Sequence, residues 1–281
     1  MIYLVLAIAS SAAISILMRA SEKYVKNEMG MFMANYAVCM LMSFLFMKNM
    51  AQVGQLGSSA GRVALVLGIL SGVMYLANFL FYKYNMKHNG IVMSATFMKL
   101  GVLVPTIMAV LVFKESLSGF QFVGIMVAIS AIVLIHFEKN AFSESKHMVG
   151  LLLLLLLSGL TDSMANVFEK LGNADTKDAY LLVTFGMAFL ITVLLIIFRK
   201  IRVGKQELLF GALIGIPNYF SSRFLLLALE EIDAVLVYPT YSVATMIVIM
   251  LAGVCVFHEN MSKKKFLAVG MIIVALGLLN S

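Results

Sequence analysis

The sequence predicts an all-α integral membrane protein with ten transmembrane helices in two inverted five-helix repeats. Composition comes first: of 281 residues, 62% are hydrophobic and 12% charged, with a mean hydropathy of +1.00. A soluble fold has no place for that much apolar surface, whereas a bilayer accepts about 20 apolar residues per spanning helix. The second observation is a duplication. Phe113-Lys114-Glu115-Ser116-Leu117 returns 144 residues later as Phe257-His258-Glu259-Asn260-Met261, and Ser11, Ser15, Arg19 and Glu22 return after 147 residues as Ser158, Asp162, Asn166 and Glu169. The third is charge: 14 Lys and Arg fall in one alternate set of loops and 5 in the other set with the termini. Basic loops stay cytoplasmic, so both termini are expected outside the cytoplasm.

The spans are taken in order. Span 1 (2–20) has no basic residue ahead of its apolar run and belongs to the repeat, so it reads as a mature helix rather than a cleaved signal. Span 2 (29–47) is followed by span 3 (62–82), which carries Gly68-x-x-x-Gly72, a groove for close helix approach. Span 4 (89–112) holds Lys99 and Pro105, and span 5 (118–137) follows the Phe-x-Glu turn. Span 6 (148–169) has a polar stripe of Ser158, Asp162, Asn166 and Glu169 on a leucine-rich helix, and span 7 (178–198) follows it. Span 8 (205–228) answers span 3 with Gly211-x-x-x-Gly215 and adds Pro217. Span 9 (232–256) contains Pro239, and span 10 (263–280) closes the chain. The halves are 1–140 and 148–281. Five spans per half is an odd number, so the halves have opposite orientations in the bilayer.

The prolines free carbonyls near 101, 213 and 235, which need protein or a wet cavity around them. Lys99 is the sharpest polar signal, because a lysine at helix centre costs about 2.5–3.5 kcal/mol on insertion scales and normally faces a cavity or a partner. Thr96 lies on its face. Arg223 sits well into span 8, with Asn218, Tyr219, Ser221 and Ser222 nearby, and a guanidinium suits carboxylate or phosphate. Asp162 is mid-span and has two readings: an ion pair with Lys99 or Arg223 that holds the bundle, or a carboxylate that couples transport to a proton. Tyr75, Asn78, Tyr238 and Tyr241 can complete a cavity lining, although aromatic residues also serve as packing. Glu115 and Glu259 recur at turns, where capping or pairing at the start of the following helix is expected.

Several chemistries are disfavoured. Cys39 and Cys255 fall within spans and give no disulfide framework or metal-ligand spacing, and the 22 methionines are packing filler. His88, His136, His147 and His258 sit near span ends, away from any mid-membrane proton path. The net charge of +7 lies at helix ends, which suits orientation and lipid headgroups rather than nucleic acid. No cofactor or metal is expected. A GxxxxGK[ST] loop does not occur, which argues against ATP-driven pumping by this chain.

Ten spans, two repeats and a Phe-x-Glu turn before a glycine-bearing apolar helix resemble the EamA-type members of the drug/metabolite transporter superfamily. The resemblance implies alternating access through a cavity lined mainly by helices 1, 3, 4, 6, 8 and 9. By position it implicates Ser15, Tyr75, Lys99, Asp162, Asn218, Arg223 and Tyr238. Two features depart from it: Gly124 follows the first turn glutamate by nine residues but its counterpart is Ala268, and many relatives are drawn with cytoplasmic termini.

The expected function is secondary transport of a small polar metabolite, an amino acid or organic anion being favoured. The expected partners are that substrate, the bilayer and a coupling proton, for a monomer or homodimer in the plasma (bacterial inner) membrane. Substrate contacts are expected from Lys99, Arg223, Tyr75, Asn78, Thr96, Asn218, Tyr219, Tyr238 and Ser15, with Asp162 coupling. A flippase for a phosphorylated lipid or lipid precursor is the alternative within this fold. A membrane-embedded enzyme on a lipid-linked substrate is the alternative class, for which the loops lack an acidic or histidine-rich cluster.

Overall fold

The computed structural model describes residues 1–89, 91–136, 148–256 and 263–279; the side chains of residues 60, 91–93, 96, 135, 136 and 263–265 are outside the description. The second turn copy, Phe257 to Met261, and His147 also lie outside the described residues, as does the side chain of Thr96. Among the described residues the protein is all-helical. The helices are α1 (Ile2–Ser21), α2 (Glu28–Leu45), α3 (Ala51–Gln55), α4 (Ser59–Asn89), α5 (Ile91–Leu100), α6 (Leu103–Leu111), α7 (Gly119–His136), α8 (Met148–Leu171), α9 (Lys177–Phe198), α10 (Lys205–Glu231), α11 (Ala234–Cys255) and α12 (Lys263–Leu279). A 3-10 turn, Ala174–Thr176, precedes α9.

Among the described residues seven helices are long and apolar enough to cross a membrane: Ile2–Ser21, Glu28–Leu45, Gly61–Asn89, Met148–Leu171, Ala174–Phe198, Lys205–Glu231 and Ala234–Cys255. Shorter apolar helices run over Phe97–Leu111, Gly119–Leu134 and Phe266–Leu279. The protein is therefore a multi-pass membrane protein. Its 31-residue α4 is about 46 Å long, more than the roughly 30 Å of hydrocarbon, and its last turns expose Lys83, Tyr84, Lys87 and His88.

Span 4 is not one helix. It breaks at Gly101–Val102, between α5 and α6, because Pro105 has no amide to offer the Gly101 carbonyl and its ring crowds that oxygen. The Val104 amide takes the place, donating to Gly101 O at 2.9 Å, so this carbonyl is not left open to a cavity.

The chain forms two compact units, each drawn from both sequence halves. The first comprises Met1–Leu76 and Met164–Ala228, the second Ala77–Ser163 and Leu229–Ser281. In the first unit α2 packs on α9. A methyl at Gly68 or Gly72 of α4 would come within 2.8 Å of Val183 or 2.7 Å of Met187, both on α9. A methyl at Gly215 of α10 would come within 2.7 Å of Val38 on α2, and Gly211 abuts the Met31 carbonyl on the same helix. Each glycine groove thus belongs to one sequence half and receives a helix of the other.

In the second unit α7 packs on α12, α5 on α7, and α6 on α11. A methyl at Gly124 would meet Leu278 of α12 at 3.1 Å, and Ala268, which stands where a second glycine was expected, is fully buried. Alanine is small enough for that position.

Candidate functional site

Three elements of the second unit converge around Lys99. The α5–α6 break brings Gly101 against Gly159 of α8, where a methyl at Gly101 would lie 2.9 Å from the Gly159 nitrogen. This close approach lets Ser158 Oγ donate to the Met98 carbonyl at 3.1 Å, next to Lys99. One turn along α8 from Ser158 lies Asp162, whose backbone carbonyl accepts from the Tyr238 hydroxyl of α11 at 2.9 Å. Lys99, Asp162 and Tyr238 are thereby gathered from α5, α8 and α11.

The electrostatics of this group are unusual. Lys99 is half-buried and Asp162 is exposed, and their opposite charges act on each other. Among the described residues neither enters a direct ion pair within 4.0 Å. A cation and a carboxylate that interact without forming a direct pair can each hold a group of a bound molecule. In the same unit, Asn78 Oδ1 on α4 and Thr245 Oγ1 on α11 are buried and have no hydrogen-bond partner among the described residues.

The other expected residues lie in the first unit, where several polar groups are already occupied. Arg223 Nη1 donates to Asp178 Oδ1 at 2.9 Å, to the Phe46 carbonyl at 3.2 Å and to the Tyr219 hydroxyl. The carboxylate partner of Arg223 is therefore Asp178 at the start of α9, and not Asp162. Asp178 Oδ2 also accepts from the Lys48 amide at 3.0 Å, so the arginine clamps the ends of α2, α9 and α10 together. Its neighbour Lys177 pairs with Glu169 at 3.6 Å. Asn218 Nδ2 donates to Asn35 Oδ1 at 3.2 Å. Ser15 Oγ folds back onto the Ser11 carbonyl at 3.3 Å, and the Tyr75 ring lies 6.4 Å from Phe185. Asn166, buried on α8, has neither amide atom partnered among the described residues.

Sequence reasoning missed Asp178, which reads as an ordinary acid in the first turn of a helix. It noticed Ser158 only as part of a stripe. The Glu115 carboxylate also reaches a helix far away in the chain: its Oε2 accepts from the Val235 amide at 2.9 Å, at the start of α11.

Comparison with known proteins agrees with this architecture. Residues 1–137 match the model of the EamA-like transporter family. Over that stretch the chain is similar to EamA-like transporters. A relative from Haemophilus influenzae, described only as an uncharacterized protein, is 22% identical over 277 residues, covering 95% of this chain and 93% of its own. A solved crystal structure, 14% identical, covers 99% of this chain and 95% of its own with a TM-score of 0.73, a likeness of fold.

Proposed function

We propose that the protein is a secondary active transporter with ten spans in two inverted five-helix repeats, 1–140 and 148–281. It moves a small polar metabolite bearing an anionic group, an amino acid or organic anion, across the plasma membrane by alternating access. The observation that carries this reading is the Lys99–Asp162 arrangement: opposite charges from α5 and α8 that act on each other without a direct ion pair, with Asp162 exposed. Two such charges inside a membrane are expensive and mark pathways for polar cargo.

In this mechanism the Lys99 ammonium receives the anionic group of the substrate. Asp162 carries the coupling proton, and Tyr238 holds α11 against the carbonyl of the same residue. Proton loss from Asp162 restores the carboxylate, which competes with the substrate for Lys99 and favours release. Arg223 serves as a clamp, its Nη1 already held by Asp178.

The test is uptake and counterflow in proteoliposomes across amino acids, organic acids and phosphorylated compounds, with and without a pH gradient. Counterflow of a carboxylate-bearing compound that is lost in Lys99→Ala supports the proposal. Wild-type rates in folded Lys99→Ala protein sink the assignment of the site. Movement of a phosphorylated lipid instead of any soluble compound replaces it with the flippase reading.

A further inference from the structure

The turn glutamate Glu115 has its partner far away in sequence. It lies between α6 and α7 and is 9% exposed. The Val235 amide that it accepts from is 120 residues distant in the chain. Val235 is the second residue of α11, where an amide has no acceptor within the helix. Asp233, at the N-cap position, makes no side-chain cap of its own. The first turn of α11 is therefore held by a side chain from the α6–α7 turn.

That turn of helix leads directly to the site. Three residues after Val235, Tyr238 donates to the Asp162 carbonyl on α8. On the other side, α6 continues the broken span that carries Lys99, and α6 itself packs on α11. Glu115 thus links the Lys99 segment to the helix whose tyrosine touches Asp162.

We propose that Glu115 is a positioning residue for the Lys99–Asp162 site: by capping α11 it sets Tyr238 against α8. This rests on reading that site as the place of substrate binding. The carboxylate acts here as a hydrogen-bond acceptor, so glutamine, whose side-chain oxygen also accepts, replaces it and alanine does not. Aspartate, shorter by one methylene, falls between the two.

The experiment is hydrogen–deuterium exchange on the full chain in lipid nanodiscs, comparing Glu115→Gln, Glu115→Asp, Glu115→Ala and Tyr238→Phe. Loss of a helix cap corresponds to about a five- to tenfold change in local opening. Glu115→Ala is expected to speed exchange by that factor in the first turn of α11 and again around residues 160–166 of α8. Glu115→Gln should stay within about twofold of wild type. Tyr238→Phe should reproduce the α8 effect alone, and the Glu115→Ala/Tyr238→Phe double variant should add nothing further on α8. A cap that merely stabilises the fold would leave α8 unchanged or give multiplying effects, and either result overturns the proposal. Equal damage by glutamine and alanine overturns it too, since charge and not acceptance would then matter. Where Glu115→Ala fails to fold, Glu115→Asp carries the same pattern at smaller amplitude.

Transport is read in parallel as counterflow of radiolabelled L-serine in proteoliposomes. Glu115→Ala is expected to raise the half-saturating concentration about five- to tenfold, the same cap energy expressed in binding. Absence of counterflow for serine and for the wider panel would count against the transport reading of the site, while exchange on α8 would still decide the role of Glu115.

Discussion

At the scale of the residue, Lys99 and Arg223 are both cations within apolar helices, and they call for opposite expectations. Lys99 has no direct ion pair among the described residues and interacts with an exposed carboxylate, so its loss should act on cargo more than on folding. Lys99→Ala is expected to insert and melt like wild type while transport in proteoliposomes falls to background. Asp162→Asn divides the two readings of that carboxylate. Under coupling, pH-gradient-driven accumulation disappears while substrate exchange across the membrane persists; under a static charge pair, both disappear together. Arg223 and Asp178 are 15% and 8% exposed and joined at 2.9 Å, and breaking a buried pair from one side costs about 3–5 kcal/mol. Asp178→Asn should therefore lower the detergent melting temperature strongly, with Arg223→Lys milder because only the fork of donors is lost. Full thermal stability in Asp178→Asn would show that the clamp is ornamental. Lysine and arginine positions were plain in the sequence, because charges in apolar runs stand out. Their partners were not: Asp178 lies 45 residues from Arg223 and becomes its neighbour only once α9 and α10 have packed.

At the scale of the element, spacing foretold helices well and their contacts only by implication. Apolar length located α1, α2 and α7 to α12 to within a few residues, since a bilayer demands continuous apolar runs. Pro105 signalled a distortion near residue 101, and the chain breaks between α5 and α6 at Gly101, four residues before the proline. The short α3 was not foreseen, because a five-residue helix outside the apolar runs leaves no periodic trace. The repeated GxxxG was read as packing, yet which helix each groove would receive depended on three-dimensional pairing. That pairing makes glycine substitutions unequal. At Gly72 a methyl would lie 2.7 Å from Met187, so Gly72→Ala should force α4 off α9 and cost about 1–3 kcal/mol by overpacking. At Gly270 of α12 nothing lies within 4 Å, so Gly270→Ala should be neutral or stabilise by up to about 1 kcal/mol through helix propensity. Thermal unfolding of the two purified variants side by side checks the contrast, and equal melting points would refute the groove assignment.

At the scale of the whole molecule, the contacts between loops sort by the same two sets that the charge count separates. Lys48 to Asp178, Gln52 to Ala179, Lys177 to Glu169 and Glu115 to Val235 all join segments of the poorly basic set. Lys26 and Asn27 to Glu207 join segments of the basic set. A chain that crosses a membrane at every span must behave this way, because only segments on one side can touch. The sorting concerns sidedness and leaves open which side is the cytoplasm; that comes from the 14-to-5 excess of Lys and Arg. The two ends of α9 offer the cleanest check. Asp175 precedes this helix and Arg202 follows it, and both are exposed. In a background with Cys39 and Cys255 replaced by serine, a cysteine at Arg202 should react with a membrane-impermeant maleimide only after the membrane is broken. A cysteine at Asp175 should react in intact cells. The reverse pattern would leave the alternation of spans intact but invert the molecule, placing both termini in the cytoplasm. Labelling of both sites from the same side would mean that α9 does not cross, and would remove the inverted-repeat architecture along with it.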